Sequence, residues 1–262
     1  MKTWKLVVEY DGTKYHGWQE QINARTVQGE LRKAVEEIFG QKVEMQGSGR
    51  TDSGVHALGQ VVHVKMEQAP RHAVNTLHLA RQLNGSLPAD IAVIDAAEVP
   101  ANFHARHDAV SRTYLYQISN RKTAFAKRYV WWIKEELDVP AMARAASLLP
   151  GRNDFAAFAA KDPSRPDEST IVVVNNAEVG LEDHLILFRI EASHYLWKMV
   201  RRIVGVLVGV GKGQVTEAQV AKLLEGAPLP GIDIAANTAP ASGLFLEEVQ
   251  YKASAVTKKG KN

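Results

Sequence analysis

The chain has 262 residues, 45% of them hydrophobic and 23% charged, enough for one large domain or two of ordinary size around a substantial core. Cysteine is absent, which excludes disulfides, thiolate metal sites and a cysteine nucleophile. The net charge is +3, but Lys252, Lys258, Lys259 and Lys261 lie in an acid-free tail, so the rest of the chain is near neutral and nucleic-acid binding has to be argued from local charge. The N-terminus lacks the apolar run of a signal peptide. The longest apolar stretch, near 195–210, carries Lys198, Arg201 and Arg202, which argues against a membrane span. These features predict a soluble, cytoplasmic protein with no membrane partner.

A strand is predicted over 3–11, around Leu6-Val7-Val8-Glu9-Tyr10. Val27, Leu31, Ala34, Val35 and Ile38 recur at helical spacing and predict a helix over 26–39 that Gly40 stops. Strands follow near 42–47 and 58–66, the second with Val62, Val64 and Met66 in alternation. A helix over 71–83 and a strand over 91–98 complete a β-α-β-β-α-β order. A similar order follows. A strand over 109–118 places Arg112, Tyr114, Tyr116 and Ile118 on one face. A helix starts near Pro140 and stops before Gly151, and strands over 169–179 and 185–192 come next. A helix over 195–210 buries Leu196, Met199, Val200, Ile203 and Leu207. Thr216-Glu217-Ala218-Gln219 is a capping-box pattern that opens a shorter helix, and the last strand runs from Leu244 to Tyr251.

The repeated order predicts an α+β fold of two tandem ferredoxin-like (RRM-like) halves, mostly antiparallel sheets backed by helices, with an active-site cleft between them. The halves are 1–106 and 107–251, and 252–262 is a basic, disordered tail. Gly205 and Gly209 allow close helix packing.

Residues Gly47-Ser48-Gly49-Arg50-Thr51-Asp52-Ser53-Gly54-Val55-His56-Ala57 carry the strongest chemical signal. Its glycines let the backbone turn tightly and approach a ligand, and a cation, Arg50, and a carboxylate, Asp52, sit between them. On residues alone, a surface turn with a solvated Arg–Asp pair is the competing reading. Farther on, Arg106, Arg112, Arg121, Lys122, Lys127 and Arg128 face a single acid, Asp108, and are interleaved with Tyr114, Tyr116, Phe125 and Tyr129. Such interleaving points to an RNA-facing groove. Other signatures are missing: there is no Gly-Lys-Ser/Thr phosphate loop, no His-Glu-x-x-His helix and no Gly-x-Ser-x-Gly elbow. His104 and His107 have a metal-compatible spacing, but with only Asp108 beside them and cations close by no metal site is predicted. His56, Gln60 and Trp18 read as structural, Trp18 packing under the loop.

The order of several motifs resembles the TruA family of tRNA pseudouridine synthases over about residues 4–251. They are Asp11-Gly12-Thr13 with Gly17-Trp18-Gln19, Arg50-Thr51-Asp52 with Gly54-Val55-His56, Gly59-Gln60-Val61-Val62-His63, Leu83-Asn84-Gly85 through Ile91, Phe103-His104-Ala105-Arg106, Arg112-Thr113-Tyr114-Leu115-Tyr116, Asp154-Phe155, Met199-Val200-Arg201-Arg202 and Ala239-Pro240-Ala241-Ser242-Gly243-Leu244. Departures are Asn153 for His, Tyr195 for Phe, and Ser169-Thr170-Ile171-Val172 without an Arg-x-Ile.

The resemblance implies an isomerase that converts uridine to pseudouridine at positions 38, 39 and 40 of the tRNA anticodon arm. It implies a homodimer, with no cofactor, no metal and no further protein partner. Asp52 is the implied nucleophile, attacking ribose or base or assisting elimination. Tyr114 stacks on the base and removes a proton; its alternative is a half-buried strand tyrosine. Arg201 pairs with the aspartate, or snorkels from an apolar helix to water. Arg50 fills the space of a flipped uridine or contacts phosphate, and Arg106 and Arg112 bind substrate. The rival from another class is a non-catalytic RNA-binding protein on the same scaffold, to which a carboxylate facing phosphates would be a liability. A nucleoside-cleaving glycosylase is a second rival, but that chemistry calls for an acid/base pair, and the loop offers one carboxylate.

Overall fold

The structure, a computed structural model, describes residues 2–66, 78–161, 167, 169–226 and 229–256. It is an α+β protein whose chain divides into two compact units, Met1–Ser111 with Leu246–Asn262, and Arg112–Phe245.

The first unit contains β1 (Lys2–Tyr10), α1 (Val27–Phe39), β2 (Glu44–Gly47), β3 (His56–Met66), α2 (Leu79–Ser86) and β4 (Ile91–Val99). This is the expected β-α-β-β-α-β order, and β1 lies between β3 and β4 with both pairings antiparallel. β2 pairs antiparallel with β3. Alternation decides which face is buried. Trp4, Leu6, Val8 and Tyr10 of β1 point one way and are buried, and the register sets Trp4 opposite Val64 and Leu6 opposite Val62. The apolar stripe of α1 covers this face, with the Phe39 ring centroid 6.1 Å from that of Trp4. Each such side chain contributes about 1.5–3 kcal/mol on burial. Thr26 caps α1 by accepting from Gly29 N–H, and Gly40 ends it at φ 64°. The predicted start of the second helix falls on 67–77, outside the described residues.

The second unit contains β5 (Ala109–Ser119), β6 (Trp131–Trp132), α3 (Val139–Ala146), β7 (Gly151–Asp154), β8 (Ile171–Glu182), β9 (Leu185–Ala192), α4 (Met199–Gly211) and α5 (Glu217–Leu223). Its sheet runs β5-β9-β8-β7 with antiparallel neighbours, and β6 adds a short parallel pairing to Ile118 and Ser119 of β5. The capping box of Thr216 and Gln219 forms at the start of α5.

Several boundaries differ from the sequence expectation. The division falls inside β5, a few residues past Arg106, and β10 (Leu244–Tyr251) enters the first unit at Leu246, where it lies beside β3. β6 and β7 carry no alternating signal of their own; β7 takes its register from Val172–Val174 of β8. α4 starts at Met199, because Lys198 sits at φ 61° and Met199 N–H bonds to the Leu196 carbonyl in a turn ahead of the helix. In the expected tail, Ala253–Val256 form a short α6, and 257–262 lie outside the described residues. No helix among the described residues is long and apolar enough to cross a membrane.

Close approach explains Gly205: a Cβ there would lie 1.9 Å from the Asn237 carbonyl oxygen. Helix propensity alone favours alanine by up to about 1 kcal/mol, but a backbone oxygen at that distance has to be displaced. Gly205→Ala is therefore expected to lower stability by roughly 1–3 kcal/mol, read as a lower urea midpoint. A midpoint equal to or above that of the wild type would contradict the contact.

Candidate active site

The Asp52 loop joins two antiparallel strands, β2 ending at Gly47 and β3 beginning at His56. Its backbone is tied at both sides of the carboxylate. Ser48 N–H bonds to the Val61 carbonyl at 2.8 Å, the Ser48 hydroxyl donates to Gln60 Oε1 at 2.6 Å, and Gln60 Nε2 donates to the Gly49 carbonyl at 3.0 Å. Thr51 accepts from Trp18 N–H through its carbonyl at 3.0 Å, and its hydroxyl shares a hydrogen bond with that of Tyr10 at 2.8 Å. The Ser53 hydroxyl donates to the Tyr15 carbonyl at 3.0 Å. Val55 N–H closes a turn onto the Asp52 carbonyl at 3.1 Å, and Gly54 supplies the φ of 79° that a type II turn needs at its third position.

Trp18 lies under this loop as the sequence predicts. It is buried, and a Cβ on Gly47 would lie 2.8 Å from its indole. His56 is buried too, with Gly12 N–H 3.1 Å and the Asp11 carboxylate 3.2 Å from its Nδ1. With Gln60, these residues are scaffold. Asp52 is half-buried and Arg50 exposed, so the loop presents its cation to solvent two residues before a positioned carboxylate.

The candidates of the second unit cluster on β5. Tyr114 is 9% exposed, and its ring meets that of Tyr195 edge-on at 4.9 Å and 83°. The Tyr195 hydroxyl lies 2.8 Å from the Ile190 carbonyl and 3.0 Å from that of Arg112, and burial raises this phenol well above its ordinary pKa, with Tyr114 adding to the shift. The Arg112 guanidinium donates to the Ser193 carbonyl at 2.8 Å. The Tyr-for-Phe departure thus adds a satisfied hydroxyl that joins β5 to β9 beneath Tyr114. The sequence reading did not single out Tyr195 for this contact with Tyr114; the departure itself was its signal.

Tyr116, read as part of an RNA-facing groove, is core: it is fully buried and donates to the Pro240 carbonyl at 2.9 Å. Burial raises its pKa, with the nearby Arg201 charge opposing. Arg201, in the first turn of α4, donates through Nε to the Ala239 carbonyl at 2.7 Å and accepts Ala239 N–H on its own carbonyl at 3.0 Å. That reciprocal pair fixes its direction beyond simple snorkelling. Of the other departures, Asn153 uses its amide on the Leu149 carbonyl at 3.1 Å, and Ser169 accepts Ile171 N–H at the start of β8.

Arg106 belongs to a turn organised by His104, whose Nδ1 accepts the N–H groups of Arg106 at 3.2 Å and His107 at 3.3 Å. The His63 ring lies 4.6 Å from that of His104, and its Nδ1 accepts Ala105 N–H at 3.0 Å. These imidazoles act as backbone acceptors, and no group of three or more His, Cys, Asp or Glu residues suited to a metal ion is found among the described residues.

Comparison with known proteins gives a consistent outcome. Residues 6–108 and 145–252 match the family model of tRNA pseudouridine synthases. The tRNA pseudouridine synthase A of Thermosipho melanesiensis is 42% identical over 252 residues, 96% of this chain and 100% of the relative. Those of Thermoanaerobacter sp. X514 and Thermotoga petrophila are 41% and 39% identical over 253 residues, with the same coverage of 96% and 100%.

His63 generates a pH prediction. Its Nε2 is buried without a hydrogen-bond partner among the described residues, 3.6 Å from Glu44 Oε1. Burial first, then the neighbouring His104 and Lys65, lower its pKa from 6.5 to about 4. The unfolded chain therefore takes up this proton before the folded one does. The contribution is complete above pH 6.5 and is lost as the pH falls toward 4. Urea midpoints measured from pH 7 downward should fall across that window, and less steeply in His63→Gln, whose amide oxygen can still accept Ala105 N–H. Equal slopes for the two proteins would remove His63 as the cause.

Proposed function

The chain belongs to the TruA family of tRNA pseudouridine synthases, and from that premise we propose that it isomerises uridine to pseudouridine at positions 38, 39 and 40 of the tRNA anticodon arm with Asp52 as nucleophile. Membership carries the reaction class: this is an isomerase acting on uridine in tRNA. The assignment of Asp52 is supported by one observation above all. The loop that matches the family's Arg-Thr-Asp motif is pinned by hydrogen bonds on both sides of a half-buried carboxylate.

The reaction breaks the bond from N1 to ribose C1′, turns the base, and joins C5 to C1′. C5 loses a proton, N1 gains one, and no electrons are exchanged with a redox partner. A carboxylate suits this exchange because it adds to an electrophilic carbon and leaves again. Covalent addition to ribose, addition to the base and assisted elimination all use the same Asp52 position. Tyr114 is assigned base stacking and removal of the C5 proton. Its ring is held edge-on by Tyr195, so its orientation is set before substrate arrives. Arg201 is assigned charge support of the carboxylate, and its Nε bond to Ala239 keeps the guanidinium from swinging. Arg50 is assigned the space vacated by the flipped uridine, and Arg106 and Arg112 contacts to substrate. No cofactor enters the scheme. The resemblance further supports a homodimer that works in the cytoplasm.

Asp52→Asn tests the proposal. The amide keeps the shape and suits a turn as well as the acid does, so folding and tRNA binding should persist. In a single-turnover assay on a tRNA with uridine at position 39, no pseudouridine should form; near-normal conversion would end the assignment. In the same assay, Arg50→Ala should slow conversion by about 10- to 100-fold, the scale of the few kcal/mol that flipping a base costs, while changing affinity much less. Equal losses of rate and affinity would instead make Arg50 a phosphate contact.

A further inference from the structure

The basic, aromatic stretch that the sequence presents as one signal is divided by the structure. Tyr114 and Tyr116 are buried in β5, and Arg112 is bonded to the Ser193 carbonyl. Beyond Ser119 the chain leaves the sheet, and Arg121, Lys122, Lys127 and Arg128 are all exposed with no acid between 121 and 132. Phe125 is 96% exposed, which is rare for so large an apolar side chain. Trp132 is 42% exposed, with the Lys122 ammonium 5.6 Å from its ring centroid.

This lobe is built, not frayed. Ser119 Oγ donates to the Arg121 carbonyl at 2.7 Å and Ile133 N–H bonds to the Ser119 carbonyl at 3.0 Å, which closes the base of the lobe. Ala126 N–H bonds to Thr123 Oγ1 at 3.2 Å, and Tyr129 N–H to the Ala126 carbonyl at 2.8 Å. Val130 and Ile133 are buried, and the Trp131 ring stands edge-on to Tyr116 at 6.4 Å. Phe125 is held away from the core at the head of a 3-10 turn whose last residues are Lys127 and Arg128.

We propose that the lobe Arg121–Trp132 is a second RNA-docking surface of this chain, in which Phe125 stacks on an unpaired base of tRNA and the surrounding cations contact the flanking phosphates. The proposal rests on tRNA being the substrate and adds a surface distinct from the residues assigned to the chemistry. An aromatic face accepts any base, and phosphate contacts provide the rest of the affinity. Charge selects this occupant over a second copy of the chain: a symmetric contact would bring Arg121, Lys122 and Lys127 against their equivalents, and the lobe itself contains no acid.

The test measures affinity of the full-length protein for an unmodified tRNA transcript across a salt series, with pseudouridine formation by the wild type and the mass in light scattering as controls. Phe125→Ala should weaken binding by about 5- to 100-fold, the range found for loss of one stacked base. Phe125→Leu should behave like alanine and Phe125→Trp like wild type, because the proposal needs a ring face. Replacing Lys127 and Arg128 by Gln should reduce the salt slope by about 1 to 2. Unchanged affinity in Phe125→Ala overturns the proposal, and so does a drop in mass without RNA, which would make Phe125 a subunit contact. If the wild type forms pseudouridine and Phe125→Ala binds as tightly, only the lobe proposal fails. If binding depends on Phe125 and the wild type forms no pseudouridine, the activity fails and the lobe stands.

Discussion

Everything proposed for Asp52 depends on how Thr51 is held. Its carbonyl takes the Trp18 N–H, its hydroxyl meets Tyr10, and both partners are buried aromatic residues of the same unit. The loop is thereby fastened to β1 and to the segment that follows it, on the residue next to the carboxylate. A hydrogen bond of this kind contributes only about 1 kcal/mol net, but leaving either buried partner unpaired costs more. The loop therefore stays where the core puts it. Fixing a residue of a mobile loop costs about 1–2 kcal/mol of entropy, and here folding has already met that cost before substrate binds. A nucleophile benefits from such preorganisation because its reacting atom has to be placed within a fraction of an ångström.

The second unit solves a similar problem with rings in place of a loop. Tyr114 lies on a strand, so its direction follows from the pleat of β5, and Tyr195 approaches its ring edge-on. The Tyr195 hydroxyl lies within reach of carbonyls on β5 and β9, which converts a packing contact into a strut between neighbouring strands. Arg201 is fixed in yet another way, by a reciprocal pair of bonds with Ala239 at the start of α4. A buried phenol with a raised pKa is neutral at physiological pH, so Tyr195 supports Tyr114 without adding charge.

Strong periodicity was legible in the chain. The alternation of Val62, Val64 and Met66 and the stripe of Val27, Leu31, Ala34 and Val35 name their own buried faces, because a strand and a helix repeat at different intervals; at the end of that stripe Phe39 is buried and the expected Ile38 only half-buried. The loop was legible for another reason: glycines and a charged pair in so short a span have few packing roles. What stayed hidden depends on partners distant in sequence. β7 exists because Val172–Val174 offer it a ladder, and α4 begins late because Lys198 adopts a left-handed turn, which no spacing of apolar residues announces. β10 returns to the first unit for a similar reason. A strand seeks an open edge, and an edge is a property of the assembled sheet.

The basic stretch shows where local composition misleads. Tyr114, Tyr116 and Phe125 look alike in a window of charges and aromatics, yet Tyr116 is wholly buried and Phe125 almost wholly exposed. Composition reports affinity for water and for rings, and it is blind to the side of a sheet on which a residue falls. The Pro240 carbonyl and the Trp131 ring packed on Tyr116 separate it from solvent, while the exit of the chain at Ser119 puts Phe125 beyond reach of any core. The same cations therefore act differently on each side of that exit. Within β5, the Arg112 guanidinium donates to the Ser193 carbonyl just past the end of β9. Past it, a hydrogen-bonded turn holds an aromatic face among exposed cations, an arrangement that contributes nothing to the core and matches the chemistry of a nucleic-acid strand.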